Sequence, residues 1–148
     1  MLTRLAALIT CIALPTLAPA QQVMECDWQA SARNLPEPWE AYTRTFSNGA
    51  VRLAMLDTIE PAAGWAYLLI LSPPHNELGD RQCRVVGLNG MGFAGMTFDA
   101  LQADYDPAQG LIFTLPVSLP GGGDQFVDTA LRIVLNQATG QIDAWLLN

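Results

Sequence analysis

Lysine is absent from this chain, and histidine occurs once, at His75. Seven basic residues, all arginine, face fourteen acidic ones, for a formal net charge of −7. A field of that sign repels DNA, RNA and anionic lipid, so no nucleic-acid partner is expected, and a charged partner would be basic. The shortage of charge does not signal disorder, because 51% of the residues are hydrophobic and can supply a core.

No apolar run reaches the ~18 residues of a membrane span. The candidate, Leu5 to Leu17, contains Pro15. Arg4 precedes it and Ala18-Pro19-Ala20 follows, the grammar of a signal peptide cleaved after Ala20. A lipoprotein signal would use Cys11, but Thr10 is large for the residue before an acylated cysteine, and the apolar run continues past it. We therefore expect a periplasmic or secreted protein with no membrane insertion after signal cleavage. Removal of Arg4 makes the remainder more acidic still.

Cysteine is scarce too. Cys11 leaves with the signal, and Cys26 and Cys83 remain, an even pair that predicts one disulfide in an oxidising compartment. Their spacing fits no zinc pattern, and His75 is not placed to complete one. No metal and no cofactor are expected.

What the sequence has is alternation. Leu111, Phe113, Leu115, Val117 and Leu119 are apolar at a period of two, as are Leu131, Ile133 and Leu135, then Ile142, Ala144 and Leu146. That period belongs to strands. Three turns share one pattern: Glu60-Pro61-Ala62-Ala63-Gly64, Asp106-Pro107-Ala108-Gln109-Gly110 and Asn136-Gln137-Ala138-Thr139-Gly140. Each begins with a side chain that can accept from the turn's own backbone, and each ends on Gly, suited to positive φ.

The first turn predicts Ile59 opposite Ala66 and Met55 opposite Ile70. The last predicts Leu135 opposite Ile142 and Leu131 opposite Leu146. For the middle one the same rule sets Leu101 against Pro116, so a bulge or a shorter loop is expected there. Asn48-Gly49 predicts a type I′ hairpin with Phe46 opposite Val51, Arg44 opposite Leu53 and Tyr42 opposite Met55.

Trp65 to Leu71, apolar on both faces, reads as a central strand. Ser72 to Arg81 reads as a long loop, Cys83 to Gly87 as a short strand, and Phe93 to Asp104 as strand in preference to helix. Pro116 points to an edge or a bulge. The whole is mainly β: residues 1–20 as signal peptide, 21–40 as an N-terminal arm pinned by Cys26, and 41–148 as one antiparallel domain. About eight strands are expected, as a meander barrel or a two-sheet sandwich.

The chemical motifs carry little weight. Gly90-Met91-Gly92-Phe93-Ala94-Gly95 fits G-x-G-x-x-G, but no second βαβ unit follows and no acid is set for a ribose. Asp104-Tyr105-Asp106 before Gly110 lacks the Gly and Glu positions of a calcium loop and reads as a turn cap. His75 with Asp80 has no specially placed Ser. Trp28, Trp39, Trp65 and Trp145 are able to stack on a sugar or an apolar ligand. Trp39 leads among them, while Trp65 and Trp145 read as packing within strands. The candidate ligand contacts are Trp39, Tyr42, Phe46, Trp65 and Phe113. The function expected is a non-catalytic binding or accessory module for a protein partner. A small-ligand β-barrel is the alternative, and an enzyme comes last.

Overall fold

The computed structural model describes residues 21–123 and 125–147; the expected signal segment 1–20 lies outside them. The chain is mainly β, with two antiparallel sheets of five strands each. The first sheet uses β1 (Gln21–Glu25), β2 (Thr43–Phe46), β3 (Val51–Asp57), β4 (Ala66–His75) and β5 (Arg81–Leu88), in the spatial order β1-β5-β4-β3-β2. The second uses β6 (Gly95–Met96), β7 (Gln102–Asp106), β8 (Gly110–Pro120), β9 (Phe126–Leu135) and β10 (Ile142–Leu147). Its order is β10-β9-β8, with β6 and β7 sharing the far edge of β8. These ten strands among the described residues exceed the eight or so expected, because β1 and the short β6 carry no alternation long enough to read.

Alternation places the core. Leu53, Leu68, Ile70 and Val86 of the first sheet meet Phe113, Leu115, Leu131, Ile133 and Leu135 of the second, all with no exposure. The sheets thus face each other across one apolar layer. The first sheet is also covered behind. Leu56, Tyr67 and Val85 on its outer face are buried under Cys26, Ala30 and Leu35. Burial on both faces is why β4 lacks polar alternation.

The hairpins separate local from distant control. Asn48 and Gly49 take the positive φ expected, +54° and +86°, but Ser47 does so too, at +51°, and the turn spans 47–50, with Gly49 N–H donating to Phe46 O and Ala50 N–H to Ser47 O, each at 3.1 Å. Phe46–Val51 and Arg44–Leu53 pair as predicted. Tyr42 does not reach Met55, because Trp39–Tyr42 forms a 3-10 turn and pairing starts at Thr43–Ala54. The last hairpin has the predicted register, Leu135–Ile142 to Leu131–Leu146. Asn136 Oδ1 accepts from Ala138 N–H at 3.0 Å, and Gly140 has φ of +78°. The middle turn takes the shorter-loop alternative, pairing Asp106 with Gly110 and Tyr105 with Leu111.

The first turn departs from expectation. Asp57, not Ile59, pairs with Ala66, and Met55 pairs with Leu68. Asp57 Oδ1 accepts from Ile59 N–H at 2.8 Å and turns the chain out of the strand two residues early. The positive φ, +68°, falls on exposed Ile59. Gly64 serves close approach instead, since a Cβ there would lie 3.1 Å from Gly92 O. The long loop at Ser72–Arg81 is shorter than expected. β4 runs to His75 through an irregularity that absorbs Pro73-Pro74, and pairing resumes at His75–Arg81.

Phe93 to Asp104 is strand only in part. A 3-10 turn at Phe98–Ala100 separates β6 from β7. Pro116 sits opposite this break. β8 has neighbours on both sides, but the strand beside Pro116 is interrupted where a donor would be needed, and Pro116 O accepts from Thr97 N–H at 3.0 Å. The segment 21–40 opens as β1 against β5 and continues through two 3-10 turns, Trp28–Ala30 and Ala32–Asn34. The pair Glu25–Arg84 ends the β1–β5 ladder, and the disulfide Cys26–Cys83, with Cα atoms 5.4 Å apart, is its next rung.

The G-x-G-x-x-G run opens no helix. Asn89-Gly90 is a two-residue turn with φ of +51° and +81°, Gly92 packs 2.6 Å (from an added Cβ) against Gly64 O, and Gly95 begins β6.

Candidate functional site

Pro36 and Pro38 keep the chain extended after the second 3-10 turn, and the Trp39–Tyr42 turn then returns it to β2. The outer face of the first sheet is left partly uncovered between these pieces. An open groove of about 480 Å3 results, lined by Leu35, Trp39, Glu40, Thr43, Arg52, Ala54, Leu69 and Leu71. Its floor is the apolar outward row of β3 and β4. One wall is Trp39, 60% exposed, a large apolar side chain in water at the lip of an apolar groove. A shallower depression formed by Glu37, Pro38, Trp39 and Glu40 adjoins it, so two carboxylates flank the indole. Arg52 is the cation of the groove lining. The arrangement offers burial for an apolar group and a negative lip for a cationic one.

The sequence-predicted contacts are not brought together. Trp39 lines the groove. Tyr42, Phe46 and Trp65 pack from the side against the inter-sheet core, and Phe113 is fully buried in it, 4.9 Å from the Phe46 ring. Trp65 lies just before β4, where its carbonyl accepts from Thr58 N–H at 3.1 Å. Trp28 packs edge-to-face on Tyr67, with centroids 6.3 Å apart. Leu35, Ala54, Leu69 and Leu71 were not singled out from the sequence; the signal for Ala54, Leu69 and Leu71 was the outward half of their strands, and Leu35, which follows a 3-10 turn, carried none.

His75 lies in a depression of about 440 Å3 with Glu25, Asp80, Arg81 and Arg84. Its acids and arginines are engaged in part with each other or the loop: Arg84 Nη1 bonds Glu25 Oε2 at 2.6 Å, and Asp80 Oδ2 accepts from Asn76 Nδ2 at 3.0 Å. Among the described residues no cluster of three or more His, Cys, Asp or Glu is set to hold a metal. Burial pushes the Tyr67 phenol above its ordinary value, against a smaller opposing effect of the Gly92 backbone. The Asp106 carboxyl is held below its ordinary value by the Ala108 N–H, with Gln109 adding to it.

Trp145, read from the sequence as strand packing, is 37% exposed on the outer face of the second sheet. The Arg132 guanidinium lies over its ring at 6.0 Å. No protein-family model matches the chain, and no curated protein or solved structure matches it significantly.

Proposed function

We propose that the chain is an exported, non-catalytic binding module, periplasmic or secreted, that receives a segment of a protein partner in the Trp39 groove. The observation that carries this is the open apolar floor of Leu69, Leu71 and Ala54 beside an exposed indole. Trp at a desolvated pocket is a frequent anchor of protein interfaces. The segment that fits is apolar with a flanking Arg or Lys, because Glu37 and Glu40 stand beside the indole and the molecule is acidic overall. The Cys26–Cys83 disulfide supports export, since such bridges persist in oxidising compartments.

A panel of synthetic peptides with one aliphatic or aromatic anchor, with and without a neighbouring Arg, tests this by calorimetry on the full chain. Peptides of the Arg-containing set should bind, more weakly at high salt, and Trp39→Ala should lose about tenfold or more in affinity. Absence of binding, or affinity unchanged in Trp39→Ala, would sink the proposal. A second reading, a small apolar ligand, is favoured by the groove's volume of about 480 Å3, which lies in the usual ligand range. Native mass spectrometry of protein purified from its own envelope separates the two, because a retained small molecule adds a fixed mass.

A further inference from the structure

Among the described residues no layer covers the outer face of the second sheet, and its registers bring polar groups into two rows. Asp104, Ile112, Val134 and Asp143 form one row, and Gln102, Thr114, Arg132 and Trp145 the next. At the end of this face the β7–β8 and β9–β10 turns lie side by side. A Cβ on Gly110 would run into Leu135 O and lie 3.2 Å from Asn136 Cα. Between these turns and Trp145 is a cleft of about 240 Å3, lined by Ala108, Gln109, Asn136, Gln141, Asp143, Trp145 and the buried Val134.

We propose that this cleft binds a neutral carbohydrate. The lining holds three carboxamides, one carboxylate and one indole. Carboxamides donate and accept and a carboxylate accepts at two oxygens, which matches vicinal hydroxyls that each do both. The negative face of an indole attracts the C–H face of a pyranose. Trp145 lines the cleft, and the Arg132 guanidinium lies over its ring at 6.0 Å.

The polar groups are braced. Gln141 Nε2 donates to Asp143 Oδ2 at 3.0 Å and Oδ1 at 3.2 Å. Gln109 Nε2 donates to Asp106 Oδ2 at 3.1 Å, and Asn136 Oδ1 is held by the turn N–H groups of Ala138 and Thr139. Such bracing lowers the entropy lost when a ligand is bound.

Other occupants fit less well. Asp143 and the adjacent Asp106, on a chain of net charge −7, repel phosphate and sulfate groups. An apolar ligand would desolvate the carboxamides without repaying their hydrogen bonds. A protein segment would find only Val134, Ala108 and one indole face as apolar anchors. The site is separate from the Trp39 groove and stands or falls independently of it.

Native affinity electrophoresis of the full chain in gels holding a soluble β-glucan, a mannan or a xylan tests the proposal. Retardation by at least one of them is expected, with affinity about tenfold or more weaker in Trp145→Ala, the loss of one stacked ring. Asp143→Ala should weaken it as well, and Trp39→Ala should leave it unchanged. No retardation by any of the three, or retardation indifferent to Trp145→Ala, overturns the assignment. Should the Trp145 variant fail to fold, the unaltered protein decides by NMR. Oligosaccharides of the retarding polymer must move the Trp145 indole N–H and the Gln109 and Gln141 carboxamide signals. Shifts confined to other residues refute the site.

Discussion

At Gly140 the absence of a side chain serves two demands at once. Its φ of +78° closes the β9–β10 turn, and a Cβ there would run into Pro74 Cδ of the other sheet. Gly140→Ala should therefore cost roughly 2 kcal/mol or more, through backbone strain and displacement of Pro74. Gly122→Ala, with nothing within 4 Å of an added Cβ, should stay within about 0.5 kcal/mol. Urea unfolding of both variants checks this, and equal losses would contradict it. The first demand was legible in the sequence, because turn chemistry is contained within five residues. The second depends on a sheet contact that no local pattern announces. Gly64 makes the converse point: its place in the same pattern suggested positive φ, but its use is contact with Gly92.

Tyr67 carries a pH consequence. Burial disfavours the phenolate, so its folded pKa lies above the ordinary 10.0. The contribution of the neutral phenol is fully present below pH 10.0 and is lost as the pH rises through the folded value. Ultraviolet titration of the folded protein beside Tyr67→Phe should assign to Tyr67 a phenol that ionises above pH 10.0, and thermal stability should begin to fall above pH 10.0. Ionisation of Tyr67 at or below pH 10.0 in the folded protein would disprove this. At the acid end the sign reverses for Asp106. Its lowered pKa means a contribution present at neutral pH and lost as the pH falls through the folded value.

Among elements, β1 shows why some of the fold escapes a sequence reading. Gln21–Glu25 is polar at both ends and finds its partner β5 far along the chain. Val23 packs toward the inter-sheet core and Met24 toward the rear layer, a division that two residues cannot advertise. The disulfide was legible from cysteine count alone, and the structure adds that it extends the β1–β5 ladder. Closing a loop of 57 residues restricts the unfolded chain by about 4 kcal/mol in the entropy account. Reduction should lower the melting temperature clearly, and Cys26→Ser should match it. Thiol titration of the denatured, unreduced protein should find almost none free; two per chain would disprove the bridge. Pro116 shows an element-scale compromise of another kind, with the 3-10 turn at Phe98–Ala100 occupying the place where β8 lacks a donor.

At the scale of the molecule, alternation was enough to announce two antiparallel sheets but not which outward faces stay open. Aromatic character marked Trp39, Tyr42, Phe46, Trp65 and Phe113 together, with Trp39 leading among the tryptophans, and topology left only Trp39 of the five at an open groove. The polar residues around Trp145 escaped notice for the opposite reason. Gln109, Asn136 and Gln141 look like ordinary turn residues until two turns are set side by side. The strand order also grades the molecule. β4 is paired on both sides, with β3 and β5, and its inward face lies in the inter-sheet core, whereas β7 pairs with β8 alone and is exposed along most of its length. Amide hydrogens of Leu68 to Leu71 should exchange with deuterium only through opening of the whole domain, and those of Ala103 to Tyr105 through local fraying. Reducing the disulfide should speed exchange first in β1 and in the outward residues beneath Leu35, leaving β8 and β9 protected longest. The domain thus comes apart from its rear layer inward, and a partner seated against Trp39 would slow that first step.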